Sequence, residues 1–448
     1  MYPNVYYIFK DWFGVEWHAL SFLNSFGLMV ALAFLAAAIV LSSELKRKEK
    51  EGLLLPREES ITVGKPATFA EIALNAFTGF VFGYKLIGLF FSKPPDVNAQ
   101  AYIFSMDGNL LGGIVGALLL GGLKWWDKDK QKLKKPERRS VRIWPHDRVG
   151  DIIILGLIFG ILGAKLFDNI ENWDAFVNDP IGSIFSPSGL TFYGGLILAT
   201  IAICLFAYKK GIRIKHLVDA AAPALIIAYA IGRIGCQLSG DGDWGIYNSA
   251  YVSDAYGNVS IAKPGDFEKK VAQYNAYFTY GQALDSSGKA MQNTSGRVDY
   301  VTDRVYAQGQ VPHKHVKGPG FLPNWFFAYS FPNNVNKDGI KIPGSTEEHN
   351  RVLPSPVFPT SFYETIICTL IFLFLWAIRR RIKTPLVLFG IYLILNGTER
   401  FFIELMRVNK TYDVVGFKAT QSEIIALCLV LAGLLLVIYA RTRRPKVE

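Results

Sequence analysis

Long apolar runs, separated by short polar and basic stretches, set the pattern of this chain. Nine of them approach the roughly 20 residues needed to cross a hydrocarbon core of about 30 Å. They cover about 20–42, 69–92, 108–125, 149–168, 190–208, 218–238, 361–378, 385–404 and 422–440. Between Asp241 and Phe358 the pattern changes: the segment is rich in Tyr, Asn, Gly, Asp and Pro and holds no run of spanning length. Short alternating pieces such as Asn248-Ser-Ala-Tyr-Val-Ser predict strands there, and disorder is one reading of Asp285–Arg297. The expectation is an all-α polytopic membrane protein of about nine transmembrane helices, with one large insert of α+β character.

Charge orients the spans. Basic clusters fall in alternate loops: Lys46, Arg47, Lys48 and Lys50; the run Lys128–Arg148; Lys209–Lys215; Arg379–Lys383; and Arg441–Lys446. If every span crosses, all five lie on one side, which the positive-inside rule makes the cytoplasm. The N-terminus is then outside, the C-terminus inside and the insert extracytoplasmic. The net charge of +11 is mostly this asymmetry, and it reads as topology and anionic-lipid contact rather than nucleic-acid binding. Hydrophobic residues make up 51% of the 448, in keeping with a membrane class. Cys204, Cys236, Cys368 and Cys428 lie in spans or at their ends and offer no disulfide framework. Trp12, Phe13 and Trp17 precede the first span where a signal peptide would have a basic region, so that span is expected to stay as an anchor and the aromatic stretch to lie at the interface.

Two stretches echo each other. Gly83-Tyr-Lys-Leu resembles Gly163-Ala-Lys-Leu, and Gly108-Asn-Leu-Leu-Gly-Gly resembles Gly189-Leu-Thr-Phe-Tyr-Gly-Gly. Spans two and three read as a worn copy of spans four and five; the shared packing needs of glycine-rich helices are the other account. The expected organisation is 1–68, an interfacial segment, first span and cytoplasmic loop; 69–148, an extra hairpin and basic loop; 149–240, core spans; 241–358, the insert; and 359–448, the last spans.

Arg233 and Arg400 sit inside apolar runs. A guanidinium cannot discard its charge, so an intramembrane arginine is by default a functional-site hypothesis. Arg233 lies fifteen residues beyond Val218 and Arg400 fifteen beyond Pro385, in spans of the same direction. A rise of about 1.5 Å per residue puts both about 22 Å above the cytoplasmic edge, in the outer third of the core. Tyr193, Tyr363, Glu364, Asn396, Glu399, Glu404 and Arg407 fall near the same level. The bland readings are an i,i+4 pair of Arg400 with Glu404 and a cross-helix partner for Arg233 such as Glu364 or Asp219. The other reading is a site for an anion, with phosphate as the natural partner of a bidentate guanidinium. Gly232, Gly235, Gly240, Gly242 and Gly245 around Arg233 would let backbone approach a headgroup. His313-Lys-His315 and Asp241-Gly-Asp243 lack the further ligands of a zinc or calcium site, so no metal is expected.

The segment Gly232-Arg-Ile-Gly-Cys-Gln-Leu-Ser-Gly-Asp-Gly-Asp-Trp-Gly resembles the signature of the prolipoprotein diacylglyceryl transferase family, Gly-Arg-x-Gly-Asn-Phe-x-Asn-Gly-Glu followed by Trp-Gly. Phe26-Gly-Leu-Met, Gly189-Leu-Thr-Phe-Tyr-Gly-Gly-Leu-Ile, Asp219, Pro359-Thr-Ser-Phe-Tyr-Glu and Arg400-Phe-Phe-Ile-Glu-Leu-Met-Arg resemble further family motifs in the right order. The chain departs from them at Tyr193 (histidine in the family), Cys236 and Ser239 (asparagines), Asp241 (glutamate), Phe26 (tyrosine), Ser361 (glutamine) and Asn396 (often tyrosine). The extra hairpin and the long insert also lie outside the family pattern.

The resemblance implies transfer of the diacylglyceryl group of phosphatidylglycerol to the lipobox cysteine of a preprolipoprotein at the outer face of a bacterial inner membrane, releasing glycerol 1-phosphate without a cofactor. It implies catalytic roles for Arg233, Arg400, Tyr193 and Asp241. It implies substrate contacts from Phe26, Gly194, Gly195, Asp219, Gly235, Cys236, Ser239, Tyr363, Glu364, Asn396 and Glu404. The proton acceptor stays open among Tyr193, Asp241, Asp243 and Glu364. The alternatives are an anion transporter or channel, and an inactive lipid-binding member of the family.

Overall fold

In a computed structural model the residues described are 1–91, 102, 105–186, 189, 191–242, 244–292, 297–302, 304–307, 310–409, 411–414 and 417–442. Long helices form at each of the nine predicted spans: α2 (Ser25–Lys50), α3 (Phe69–Phe91), α4 (Leu110–Lys130), α5 (Val149–Glu171), α6 (Phe192–Lys210), α7 (Ile214–Ser239), α8 (Thr360–Ile378), α9 (Val387–Glu404) and α10 (Gln421–Thr442). They follow a short helix α1 (Val5–Phe13). Eight of the nine are long and apolar enough to cross a membrane among the described residues. The exception is α9, which is only 18 residues long and carries Glu399, Arg400 and Glu404. The shortfall there comes from these three charged residues.

The chain divides into two units: Met1–Glu16, Leu23–Val40 and Val218–Glu448 form one, and Trp17–Phe22 with Leu41–Leu217 the other. The second unit is built on the hairpins α3–α4 and α5–α6. Their crossings follow from glycine: a Cβ on Gly83 would lie 2.1 Å from the Gly112 carbonyl oxygen, and one on Gly163 would lie 2.3 Å from that of Gly194. Only hydrogen fits at such contacts, which is how small residues bring membrane helices together. The two hairpins are alike in backbone contacts as well as in motif. Asn109 N–H donates to the Tyr84 carbonyl at 2.8 Å, as Thr191 N–H does to that of Ala164 at 3.1 Å. Lys85 Nζ donates to the carbonyls of Tyr102 and Ser105 at 2.7 and 2.6 Å, and Lys165 Nζ reaches the Gly189 carbonyl at 3.4 Å.

A feature not anticipated is a two-stranded antiparallel ribbon, β1 (Arg57–Val63) paired with β2 (Glu137–Ile143), in stretches read as cytoplasmic loops. Glu59 anchors it to Arg148 at 2.6 Å and to Lys210 at 3.2 Å.

In the first unit α7, α8 and α9 share a core of Ile226, Ala230, Cys368, Ile371, Leu375 and Leu388. α9 lies close against α10, where a Cβ on Gly433 would stand 2.6 Å from the Gly390 carbonyl oxygen. The 241–358 insert has its own core, centred on Trp244, Tyr247, Phe267, Tyr274, Tyr277, Phe278 and Phe331. It combines helices Asp266–Gln273 and Asn275–Tyr280 with short strand pairs, among them Tyr251–Ser253 with Val259–Ile261 and Ile340–Lys341 with Arg351–Val352. The expectation of an α+β insert is met. Within the stretch read as disordered, the backbone turns tightly at Asp285, whose N–H donates to the Lys289 carbonyl at 3.0 Å. Bridges of Leu284 with Ala290 and Gln292 with Val298 continue it, and 293–296 lie outside the described residues. Asp338 is buried beside Tyr277, whose hydroxyl donates to Oδ1 at 2.7 Å; burial holds the Asp338 carboxyl above the usual range, against the opposing pull of that bond and of Arg304.

Candidate functional site

The two arginines converge on one carboxylate. Arg233 leaves α7 and donates through Nε to Oε2 of Glu364, on α8. Arg400 leaves α9 and donates through Nη1 to Oε1 of the same group at 3.0 Å. Glu364 is fully buried. The Tyr229 hydroxyl stands 3.4 Å from Oε1, and the Arg233 guanidinium lies over the Tyr229 ring at 5.8 Å. Of the two partners weighed for Arg233, the structure selects Glu364. The i,i+4 pair also forms, as a second contact: Arg400 Nη2 stands 3.5 Å from Glu404 Oε2, and it donates to Ser422 Oγ of α10 at 3.3 Å.

Local sequence explains the convergence. Arg233 and Glu364 each fall on the stripe of their helix that faces the shared core. Arg233 lies three and seven residues beyond Ala230 and Ile226, and Glu364 four and seven before Cys368 and Ile371. Such apolar surroundings would make any one of these charges costly alone; mutual pairing offsets this. The cluster is not sealed, because the Arg400 side chain remains 23% exposed.

Around this trio other expected residues take definite places. Glu404 is buried and accepts from Asn409 Nδ2 at 2.5 Å. Cys236 lies within the trio's reach, with Arg233 Nη1 at 3.5 Å from its sulfur. Ser239 is buried and bonds back to the Gly235 carbonyl at 2.9 Å. Gly235 lets α2 approach α7: a Cβ there would meet Met29 at 3.0 Å and Phe26 at 3.2 Å. Asp241 follows the end of α7 and accepts from the Gly242 N–H at 2.9 Å; Asp243 lies outside the described residues. The exit of the signature is tied to the segments just after α9 and just before α8, since Ile246 N–H donates to the Met406 carbonyl at 2.8 Å and Gly245 N–H to that of Phe358 at 2.9 Å. Asn396 is half-buried on α9, one turn before Arg400.

Two expected residues of the first unit, Asp219 and Tyr363, make their contacts away from the trio. Asp219 is fourteen residues before Arg233 on α7, about 21 Å along a helix. Its carboxylate accepts from Leu386 N–H at 2.8 Å and Phe389 N–H at 2.9 Å, capping α9 where Leu386 holds φ at +73°. The acid that precedes the signature is thus engaged in joining α7 to α9. Tyr363 turns to the insert, its hydroxyl donating to the Phe326 carbonyl at 2.5 Å. Gly194 and Gly195 serve the α5–α6 crossing in the second unit, with Tyr193 beside them at the start of α6.

Sequence reasoning placed Glu399 at this level without giving it a role. It is 4% exposed on α9, within electrostatic reach of Glu364, Arg400 and Arg233. The signal available was its position next to Arg400 in an apolar run.

Comparison with known proteins gives the cluster its setting. A family model described as prolipoprotein diacylglyceryl transferase matches residues 130–439. Phosphatidylglycerol–prolipoprotein diacylglyceryl transferase of Dehalococcoides mccartyi is 35% identical over 132 residues, 30% of this chain and 49% of that protein. Proteins of the same name from Shouchella clausii and Streptococcus agalactiae are each 23% identical, over 306 residues (68% of this chain, 79% of the relative) and 314 residues (69% and 84%). The chain spans about half the length of the curated relatives that it matches at about 35% identity. The match takes in α5 to α9 and most of α10, including all three residues of the bridged trio, and the chain belongs to the prolipoprotein diacylglyceryl transferase family.

Proposed function

We propose that this chain transfers the diacylglyceryl group of phosphatidylglycerol to the lipobox cysteine thiol of a prolipoprotein, releasing glycerol 1-phosphate. The observation that carries the reading is the convergence of Arg233 and Arg400 on a single anionic group. Two guanidiniums from different helices already meet around one carboxylate, which is the arrangement a lipid phosphate needs. The phosphate would enter on the exposed side of Arg400 and share or displace Glu364. As the glyceryl carbon–oxygen bond breaks, charge grows on the departing phosphate, and fixed cations in dry surroundings stabilise that charge more than they stabilise the ground state.

Asp241, Asn396, Cys236 and Ser239 are proposed to line the headgroup end, with Gly235 and Phe26 shaping the contact of α2 with α7. Tyr193 is proposed to orient the acceptor or relay a proton; a neutral tyrosine is a poor base, with an ordinary pKa near 10. The basic loops support an orientation with the N-terminus outside, the insert outside and the C-terminus in the cytoplasm of a bacterial cell, so that the trio faces the outer leaflet of the inner membrane.

The test is release of glycerol 1-phosphate by the purified protein from phosphatidylglycerol vesicles. Release that requires a lipobox peptide bearing a free cysteine supports the assignment. Release independent of the peptide, or none at all, overturns it.

A further inference from the structure

The transferase reading leaves one chemical need unmet: the acceptor thiol must lose its proton, because the thiolate is the nucleophile. Three carboxylates are buried at the level of the arginines. Glu364 has both oxygens engaged, one by Arg233 and the other by Arg400. Glu404 accepts from Asn409 through one oxygen and faces Arg400 at 3.5 Å with the other. Glu399 differs from both. It is 96% buried, and among the described residues neither of its carboxylate oxygens has a hydrogen-bond partner. A buried carboxylate with both oxygens open is costly to keep, and such groups call for an explanation in function.

We infer that Glu399 is the proton acceptor for the incoming thiol, an assignment that rests on the transferase reading. The S–H proton passes to a Glu399 carboxylate oxygen. The sulfur electron pair then forms the S–C bond to the glyceryl carbon. The C–O bond breaks with its pair remaining on the phosphate oxygen, held by Arg233 and Arg400. Glu399 afterwards returns the proton to solvent or to the released phosphate, so no oxidant, reductant or further reactant is needed. Its neighbours suit the task. Arg400 adjoins it on α9 and Arg233 faces it from α7, so positive charge favours both the thiolate and the departing anion. The other titratable groups facing it are Glu364 and Cys368 from α8, Tyr229 from α7 and Tyr392 from its own helix.

The experiment is steady-state transfer by the full-length protein, with phosphatidylglycerol vesicles and a cysteine peptide, in Glu399→Gln, Glu399→Asp and Asp241→Asn. General-base loss lowers rates by about 100-fold or more. Glu399→Gln is expected to lose kcat to that extent while the lipid KM stays within about threefold. Its residual rate should climb with pH toward the thiol's own pKa of about 8.5, because hydroxide then supplies the thiolate. Glu399→Asp, which keeps the carboxylate, should recover part of the rate and reports if the glutamine variant fails to fold. Near-normal kcat in Glu399→Gln overturns the assignment, as does a loss that rising pH does not relieve, or a base signature in Asp241→Asn instead. Absence of product from the wild-type protein fails the transferase reading itself, whereas wild-type activity with an indifferent Glu399→Gln fails only this step.

Discussion

Arg233 and Glu364, 131 residues apart in the chain, form a buried ion pair between α7 and α8, and Arg400 completes it from α9 on the opposite carboxylate oxygen. Glu364 therefore stands where the proposed phosphate would bind. It holds the guanidiniums in position in the substrate-free protein, at the cost of competing with the ligand. Breaking a buried pair by removing one partner costs about 3–5 kcal/mol. Glu364→Gln is expected to lower the melting temperature in neutral detergent markedly. Added phosphatidylglycerol should restore more stability in this variant than in the wild type, since the lipid anion then fills an uncompensated site. Equal stabilisation of both by lipid would contradict this.

Replacement of either arginine should remove transfer while leaving the protein in the membrane. Arg400→Ala is expected to reduce kcat/KM by at least about 100-fold, in line with the loss of one preorganised donor to a developing charge. Arg233→Lys keeps the charge but loses the planar fork, and it should also fail badly. Near-normal turnover in Arg233→Lys would show that a point charge suffices.

Asp219 predicts a different phenotype. Its two bonds to Leu386 and Phe389 hold the start of α9, including the left-handed backbone at Leu386. Asp219→Ala should destabilise the protein by about 2 kcal/mol, at the upper end for a helix cap. Chemical or thermal unfolding in detergent measures this directly. A variant as stable as wild type would remove the capping account.

The insert carries its own pH dependence. Asp338 has a folded-state pKa above its unfolded value of about 3.9 because it is buried, so the folded state binds a proton more readily than the unfolded one. Its contribution is most favourable below pH 4 and declines as pH rises through the folded-state value. The stability of wild type relative to Asp338→Asn should therefore fall as pH increases from 4 toward neutrality, by up to about 1.4 kcal/mol per unit within the window. Paired melting curves across that range test the sign; a difference that is flat or rises with pH contradicts it.

Hydrophobic period and glycine placement made the long helices legible. Gly83 and Gly163, which sit in matching motifs, lie at two similar crossings. Arg233 and Arg400 stand out because a guanidinium in an apolar run is costly, and Arg233 has no acid within a turn of it on its own helix. For Arg233 the sequence leaves a cross-helix partner such as Glu364 or Asp219 open, because pairing across helices depends on rotation about each axis, which one sequence does not give. Asp219 stands about 21 Å along α7 from Arg233: a family motif gives order along the chain, while height in the helix decides contact. The β1–β2 ribbon was hidden because charged residues outnumber Ile61, Val63, Val141 and Ile143, so alternation was weak. Glu399 was visible as a charge, but only burial and the absence of partners among the described residues single it out.

The most direct test of the central claim is the mass of the acceptor. Purified wild-type protein, phosphatidylglycerol and a lipobox peptide should yield peptide carrying one diacylglyceryl group in thioether linkage at its cysteine, and the Arg233→Ala and Arg400→Ala proteins should yield none. Unmodified peptide with the wild type, or modified peptide at undiminished rate with both alanine variants, would contradict a lipid phosphate held between these two arginines.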